Sequence, residues 1–150
     1  MSAVDAFREE HAELLGHIDG FRTLAARLPR MSPAEREAEL RPIVAFLRQS
    51  LVPHAEAEEH VLYPAVASAL GSPEATATMI SDHRAIVSRI EALAAAPPDD
   101  LDQLQELLYG LHALLLVHFR KEEDDYLPLL EKRPPEEVEA VFRQMSEHAH

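Results

Sequence analysis

A chain of 150 residues has room for one compact domain of ordinary size and is too short for two. Its 27 acidic residues outnumber 14 Lys and Arg, and the formal net charge of −13 argues against nucleic-acid and anionic-membrane partners. The absence of cysteine excludes disulfides, thiolate metal sites and cysteine nucleophiles, whereas nine histidines are available as ligands for a transition metal.

The first ten residues, MSAVDAFREE, lack the basic and apolar regions of a secretory signal. No stretch of the chain approaches the roughly 20 apolar residues that a membrane-spanning helix needs. We therefore expect a cytoplasmic protein that does not enter a membrane.

Apolar residues recur at alternating spacings of three and four along the chain, which predicts helices almost throughout. A capping box with a first-turn proline begins at Ser32, and Ser72-Pro73-Glu74 offers a second cap with proline. The segment 97–100 (PPDD) is expected to end one helix and cap the next, and 134–137 (PPEE) to begin the last. The predicted helices span about 3–28, 33–70, 73–95, 100–130 and 135–147.

Because the predicted loops are short, consecutive helices should be antiparallel neighbours, which gives an up-down-up-down four-helix bundle over about 3–130. A short fifth helix, about 135–147, completes a single domain over residues 1–150. Its apolar residues favour a packing flap or a dimer contact, so the chain is expected to be a monomer or a homodimer. Four prolines fall within or at the ends of the predicted helices and should each kink or end one: Pro42, Pro53, Pro64 and Pro128.

Histidines and glutamates interrupt the apolar face of each of the four long predicted helices. The third stripe, for example, contains Ile80, His83, Val87 and Ile90. Burying an ionised carboxylate without partners costs several kcal/mol, and a bound cation removes this cost while using the imidazole lone pairs. The sequence therefore predicts one buried metal site made by His11, His54, Glu58, His83, His118 and Glu122.

An internal repeat supports this site. Residues 10–15 (EHAELL) resemble 82–87 (DHRAIV), and 54–64 (HAEAEEHVLYP) resemble 118–128 (HFRKEEDDYLP). Each half therefore contributes one His, then a His followed four residues later by Glu. A pseudo-twofold bundle that holds two metals is the natural expectation.

The pattern H…HxxxE…H…HxxxE and the strings around it resemble the hemerythrin-like, or HHE cation-binding, domain family over about residues 6–130. The resemblance implies a four-helix bundle with a non-haem di-iron centre, in which an oxo or hydroxo group joins two Fe ions. Glu58 and Glu122 would bridge the irons. The terminal ligands would be His11 and His54 on one iron, and His83 and His118 on the other.

The chain departs from the oxygen-carrying hemerythrins at Val87, where those proteins place a further histidine. Six protein ligands and a bridge would leave an open position on each iron, so we expect a protein that binds or reacts with a small oxidant: oxygen, peroxide or nitric oxide. Whether this makes it an enzyme stays open. The alternatives are an iron- or oxygen-sensing or iron-handling module that acts through a partner, and a metal-free bundle that serves as an interaction surface.

Further residues are expected to lie around the predicted site. Tyr63 and Tyr126 follow the two glutamates at nearly equivalent places and are candidates for contact with the metal or its ligand. An apolar wall should restrict water around the metals, formed by Leu51, Ile86, Leu111 and Leu115. Residues expected on the rim or in solvent are His17, His60, His112, Glu59, Glu123, Asp124 and Asp125.

Overall fold

The computed structural model describes residues 2–149, and over this range it contains helices and no strand. Helix α1 is Ala3–Arg27. Helix α2 covers 33–70 in five consecutive segments: Pro33–Phe46, Leu47–Leu51, Val52–Ala57, Glu58–Leu62 and Tyr63–Leu70. Helix α3 is Ala77–Ala95, α4 covers 101–130 as Leu101–Lys121, Glu122–Tyr126 and Leu127–Leu130, and α5 is Pro135–Ala149. Met1 and His150, which the predicted domain includes, lie outside the described residues.

Contacts between neighbouring helices show that they run antiparallel. Between α1 and α4, the Gln105 side chain donates to the carbonyl of Ala25 at 2.9 Å, and His11 contacts Glu123 near the opposite ends. Helices α1 and α2 pair through His54 with Glu10 and Phe46 with His17, and α2 and α3 through Arg48 with Glu91 and Glu59 with His83. Helices α3 and α4 pair through Asp82 with His118 and Arg89 with Gly110, so each of these pairs is also antiparallel. The predicted up-down-up-down four-helix bundle is confirmed. No helix within residues 2–149 has the length and apolar character needed to cross a bilayer.

Most helix ends follow the capping chemistry in the sequence. Ser32 and Glu35 form both bonds of a capping box, and the Asp100 side chain accepts from the backbone of Gln103. The expected start of α3 at 73 is wrong, because the helix begins at Ala77. The Ser72 hydroxyl contacts the Glu74 carboxylate instead. The Ser72 N–H donates to the carbonyl of Ala67, and with Gly71 in the left-handed conformation this bond ends α2.

A buried arginine ties together the loops at one end of the bundle. Arg36 of α2 donates through Nε to the carbonyl of Leu28 at 3.0 Å and through Nη1 to the carbonyl of Pro98 at 3.2 Å. These carbonyls belong to the α1–α2 and α3–α4 connections. Arg36 therefore gives the Pro98 carbonyl a donor and gives the Leu28 carbonyl a second donor besides the N–H of Met31.

Two apolar clusters fill the bundle, and along every long helix the predicted metal-binding residues lie between them. The first cluster includes Leu14, Leu51, Ile86 and Leu115, and the second includes Phe7, Val66, Met79 and Leu127. In α5, Val138, Phe142 and Met145 are buried in the second cluster. Helix α5 therefore packs as a flap on its own chain, and the dimer contact stays a prediction.

The helices continue through their prolines instead of ending there. Pro42 lies inside the segment Pro33–Phe46, whereas Pro53, Pro64 and Pro128 each follow a π turn. In these turns the residue before the proline donates its N–H five residues back: Val52 to Leu47, Tyr63 to Glu58, and Leu127 to Glu122. A proline cannot donate and its ring clashes with the carbonyl four residues back, and the wider turn accommodates it.

The buried face of α3 is rotated from the predicted stripe. Val87 is 40% exposed, and the buried residues are Met79, His83, Ile86, Ile90 and Leu93. His83 belongs to both sets, so the correction leaves it in the core.

Candidate metal centre

All six residues predicted to bind metal lie together in the interior. They come from all four bundle helices, and their exposed fractions lie between 0 and 4%. Their ligand atoms form two groups, each with all atoms within 4.8 Å of one another: His11, His54, Glu58 and Glu122 in one, and Glu58, His83 and His118 in the other. Each group could hold a metal ion, and Glu58 belongs to both.

The donor atoms face each other at short distances. His11 Nε2 lies 3.1 Å from His54 Nε2, and His83 Nε2 lies 3.0 Å from His118 Nε2. Glu58 reaches both pairs, with Oε2 3.2 Å from His54 Nε2 and Oε1 3.2 Å from His83 Nε2.

Two carboxylate oxygens in the cluster are buried without a hydrogen bond, Glu58 Oε2 and Glu122 Oε1. Buried acceptors without donors are unfavourable. A cation bound by imidazole nitrogens and carboxylate oxygens satisfies these atoms, so the donor set fits a transition metal.

In the cluster, burial and neighbouring charges shift the pKa values of both glutamates and of His54. Burial raises the pKa of both glutamates, but the charge of His54 outweighs it at Glu58 and lowers that pKa. Burial and the neighbouring Glu58 carboxylate raise the pKa of Glu122. Burial lowers the pKa of His54, but Glu58 and Glu10 outweigh burial and raise it to about 10. Metal ligands must be deprotonated, so a bound metal would take the place of protons held here.

The outer ring nitrogens of three histidines donate to carboxylates. His11 Nδ1 donates to Glu123 at 2.9 Å, and His54 Nδ1 donates to Glu10 at 3.1 Å. Such bonds fix the tautomer that leaves the Nε2 lone pair free for a metal. Glu123 is half-buried and touches His11, so its side chain is only partly on the expected solvated face.

The second half of the chain repeats part of this arrangement. His118 Nδ1 donates to Asp82 at 2.9 Å, and burial, which would raise the pKa of Asp82, is outweighed by His118 and Lys121, which lower it. His83 Nδ1 has no hydrogen bond, and Glu59 is 3.8 Å away. Glu10 and Asp82 were not identified from the sequence. The signal was present, since each directly precedes the first histidine of its half-repeat.

Tyr63 is part of the cluster, and Tyr126 lies outside it. The Tyr63 side chain is 1% exposed. Its hydroxyl lies 2.9 Å from Glu122 Oε2, 3.0 Å from His118 Nε2, 3.1 Å from His83 Nε2 and 3.4 Å from Glu58 Oε1. Tyr126 is half-buried, and its hydroxyl donates to the carbonyl of Ala75 at 3.4 Å.

The π turn explains why Tyr63 faces the cluster. In an α-helix, a residue five positions after Glu58 points about 140° away from it. The π turn Glu58–Leu62 widens the helix, which returns Tyr63 to the face of Glu58. In α4 the residue five positions after Glu122 is Leu127. Tyr126 precedes it by one position, so its hydroxyl does not face the cluster.

A cavity of about 10 Å³ adjoins the cluster, which is space for about one water molecule. Four members of the cluster border it, and the rest of its wall is apolar: Leu51, Val52, Ala55, Ile86, Val87, Leu115 and Phe119. Three residues of the predicted apolar wall are among these. The fourth, Leu111, is buried in the first apolar cluster instead.

The remaining histidines of the described chain lie outside the cluster. His17 is exposed and stacks on Phe46, and His112 contacts Asp19. His60 is exposed and stacks on His148 of α5. The expected rim positions of His17, His60 and His112 are confirmed.

Comparison with protein families shows that residues 2–130 match the family model described as the hemerythrin HHE cation binding domain. Comparisons with curated proteins and with solved structures give no match. The matched range contains all four bundle helices and every residue of the cluster.

Proposed function

Since the chain belongs to the hemerythrin HHE cation-binding domain family, we propose that it is a non-haem di-iron protein that binds or reacts with a small oxidant such as oxygen, peroxide or nitric oxide. The observation that carries the proposal is the pair of ligand groups that share Glu58 at the centre of the bundle. Two groups favour two metal ions, and nitrogen and oxygen donors without thiolates suit iron.

The proposed ligands follow from these two groups and from the position of Glu122, whose Oε1 lies 3.7 Å from His11 Nε2 and whose Oε2 lies 3.7 Å from His118 Nε2. His11 and His54 would hold one iron, His83 and His118 would hold the other, and the carboxylates of Glu58 and Glu122 would be shared between the two. Bound iron supplies redox chemistry and open positions for an exogenous ligand. Glu10, Asp82 and Glu123 orient the imidazoles, because each accepts from the outer nitrogen of a histidine.

The size and lining of the cavity support a small, weakly polar ligand. It holds about one water-sized molecule, and its wall away from the cluster is apolar. Such a wall limits the access of water and of larger polar molecules to the metals. We also propose that the protein acts in the cytoplasm.

Metal analysis combined with optical spectroscopy tests the proposal. Protein loaded anaerobically with ferrous iron should bind about two irons per chain, and oxygen, peroxide or nitric oxide should each be tried on it. A spectral change with at least one of them supports the proposal. Protein that binds no iron, or a loaded protein inert to all three, contradicts it.

A second candidate function, metal-dependent signalling to a partner, is favoured by a chain of aromatic contacts. The ring of Phe142 in α5 lies 4.9 Å from Phe7, and Phe7 lies 4.1 Å from His11 and 5.8 Å from His54. A change at these histidines would therefore reach α5. Hydrogen exchange should be slower in α5 of the iron-loaded protein than in the metal-free protein, and identical exchange rates would exclude this function.

A further inference from the structure

We propose that the oxygen of Tyr63 is an additional ligand of the metal held by His83 and His118, so that the two metal positions are chemically inequivalent. This inference rests on the proposed di-iron function and specifies the ligand set of one metal.

The hydroxyl of Tyr63 lies where the donor atoms of the second metal position converge. Three of these atoms, in Glu58, His83 and His118, are 3.0 to 3.4 Å from it. Oε2 of Glu122, the other proposed shared carboxylate, is 2.9 Å away. Among the described residues, no hydrogen bond joins Tyr63 to His11 or His54. The tyrosine therefore contacts both histidines of one metal position and neither histidine of the other.

The Tyr63 hydroxyl cannot provide hydrogen bonds to all the acceptor atoms around it. His118 donates through Nδ1 to Asp82, which leaves the neutral ring with an acceptor lone pair at Nε2. Glu58 and Glu122 also offer acceptor oxygens, whereas a phenol has one proton to donate. A cation among these lone pairs would satisfy them together, and the phenolic oxygen stands among the same donors.

The internal repeat makes the arrangement one-sided. Pro64 corresponds to Pro128, so the counterpart of Tyr63 in the second half is Leu127, which is buried and apolar. The metal held by His11 and His54 therefore gains no equivalent oxygen. It keeps the more open coordination, and an exogenous ligand is expected to bind there.

The chemistry of coordination is a simple exchange. An iron–oxygen bond forms and the phenolic proton is released to solvent, as ligand protons are when metals bind. No electron moves in this step. A phenolate bound to ferric iron produces a visible charge-transfer band, and excitation into that band enhances the vibrations of the tyrosine ring.

The experiment uses the full chain loaded with two irons and oxidised to the ferric state. We expect the charge-transfer band and the enhanced ring vibrations in the unmodified protein and in Tyr126→Phe, and their complete loss in Tyr63→Phe. Tyr126→Phe is the matched control, because it removes a hydroxyl near the cluster that does not enter it. A band that survives in Tyr63→Phe, or one missing from unmodified protein with two irons, overturns the inference.

Mössbauer spectroscopy of the unmodified diferric protein provides a test that needs no variant. Two iron environments in equal amounts are expected, and a single environment overturns the inference even if Tyr63→Phe fails to fold. These negative results leave the proposed function standing, because the irons are bound in each. A protein that takes up no iron contradicts the proposed function instead.

Discussion

His83 illustrates at the scale of one residue how a bundle core can contain polar side chains. It is buried between Met79 and Ile86 on the apolar face of α3, and its Nε2 faces Glu58 and His118. A metal bound at these facing nitrogen and oxygen atoms would satisfy their lone pairs together.

Removal of this imidazole should impair one metal position. We expect His83→Ala to bind at most one iron per chain and to unfold at a lower temperature, since a ligand is lost and a cavity is left. Iron analysis and thermal unfolding measure both effects. His17→Ala is the control, because His17 is exposed and stacks on Phe46, outside the cluster. Full iron loading of His83→Ala would contradict the assignment.

The carboxylate behind His118 should matter without touching a metal. Asp82→Asn keeps the shape of the side chain but weakens its bond to the imidazole N–H, and iron affinity should fall about 10- to 100-fold. Competition with a chelator measures the affinity. Asp124→Asn removes an exposed carboxylate of α4 and should leave affinity unchanged. Equal affinities for the two variants would rule out the role of Asp82.

The residues that the sequence could and could not predict differ in a physical way. His54 and Glu58 are recognisable because a spacing of four puts both on one helical face. The place of Tyr63 depends on a π turn, which an ideal helical repeat does not represent. Glu10 and Asp82 act on histidines of neighbouring helices, and only the packed bundle brings these pairs together.

At the scale of helices, local sequence determines most boundaries and tertiary contacts determine the rest. The capping box at Ser32 and the cap at Asp100 are local and were predicted correctly. The start of α3 was not, because Ser72 takes part in ending α2. The exposure of Val87 also needed the structure, since Ile86 and Val87 are adjacent apolar residues and packing decides which one is buried.

The two loops joined by Arg36 offer a stability test at this scale. Arg36→Leu removes the donor of the Pro98 carbonyl and leaves the Leu28 carbonyl with the Met31 N–H alone, and the free energy of unfolding should fall by about 2 kcal/mol. Urea denaturation measures this change. Arg41→Leu in the same helix removes an exposed arginine paired with Glu37 and should change stability by less than about 0.5 kcal/mol. A similar effect of both variants would contradict the bridging role.

At the scale of the whole molecule, the proposed metals connect all four bundle helices, because each helix contributes at least one ligand. Their removal should therefore lower global stability. With free metal 1,000-fold above its Kd, binding contributes about 4 kcal/mol, which corresponds to roughly 8–16 °C in Tm. Calorimetry before and after chelation checks this, and an unchanged Tm after proven metal removal would be inconsistent with metals bound at the core.

Access to the site from solvent is a second property of the whole bundle. Val87 borders both the cavity and the surface, so Val87→Phe should slow the reaction of the ferrous protein with nitric oxide while leaving iron content unchanged. Stopped-flow spectroscopy gives the rate. Val117→Phe enlarges an exposed residue of α4 that does not line this cavity and is the control. An unaltered rate in Val87→Phe would exclude this route.

The presence of Tyr63 in one half of the repeat and Leu127 at the equivalent position of the other has a consequence for how the metal site can change. If two identical chains formed the bundle, one mutation would alter both metal positions, because a twofold axis repeats every residue. Here both halves are encoded in a single chain, and each position can be substituted alone. Covalent linkage of the halves thus permits a division of labour, in which one metal is specialised for stable retention and the other for exchange with incoming ligands.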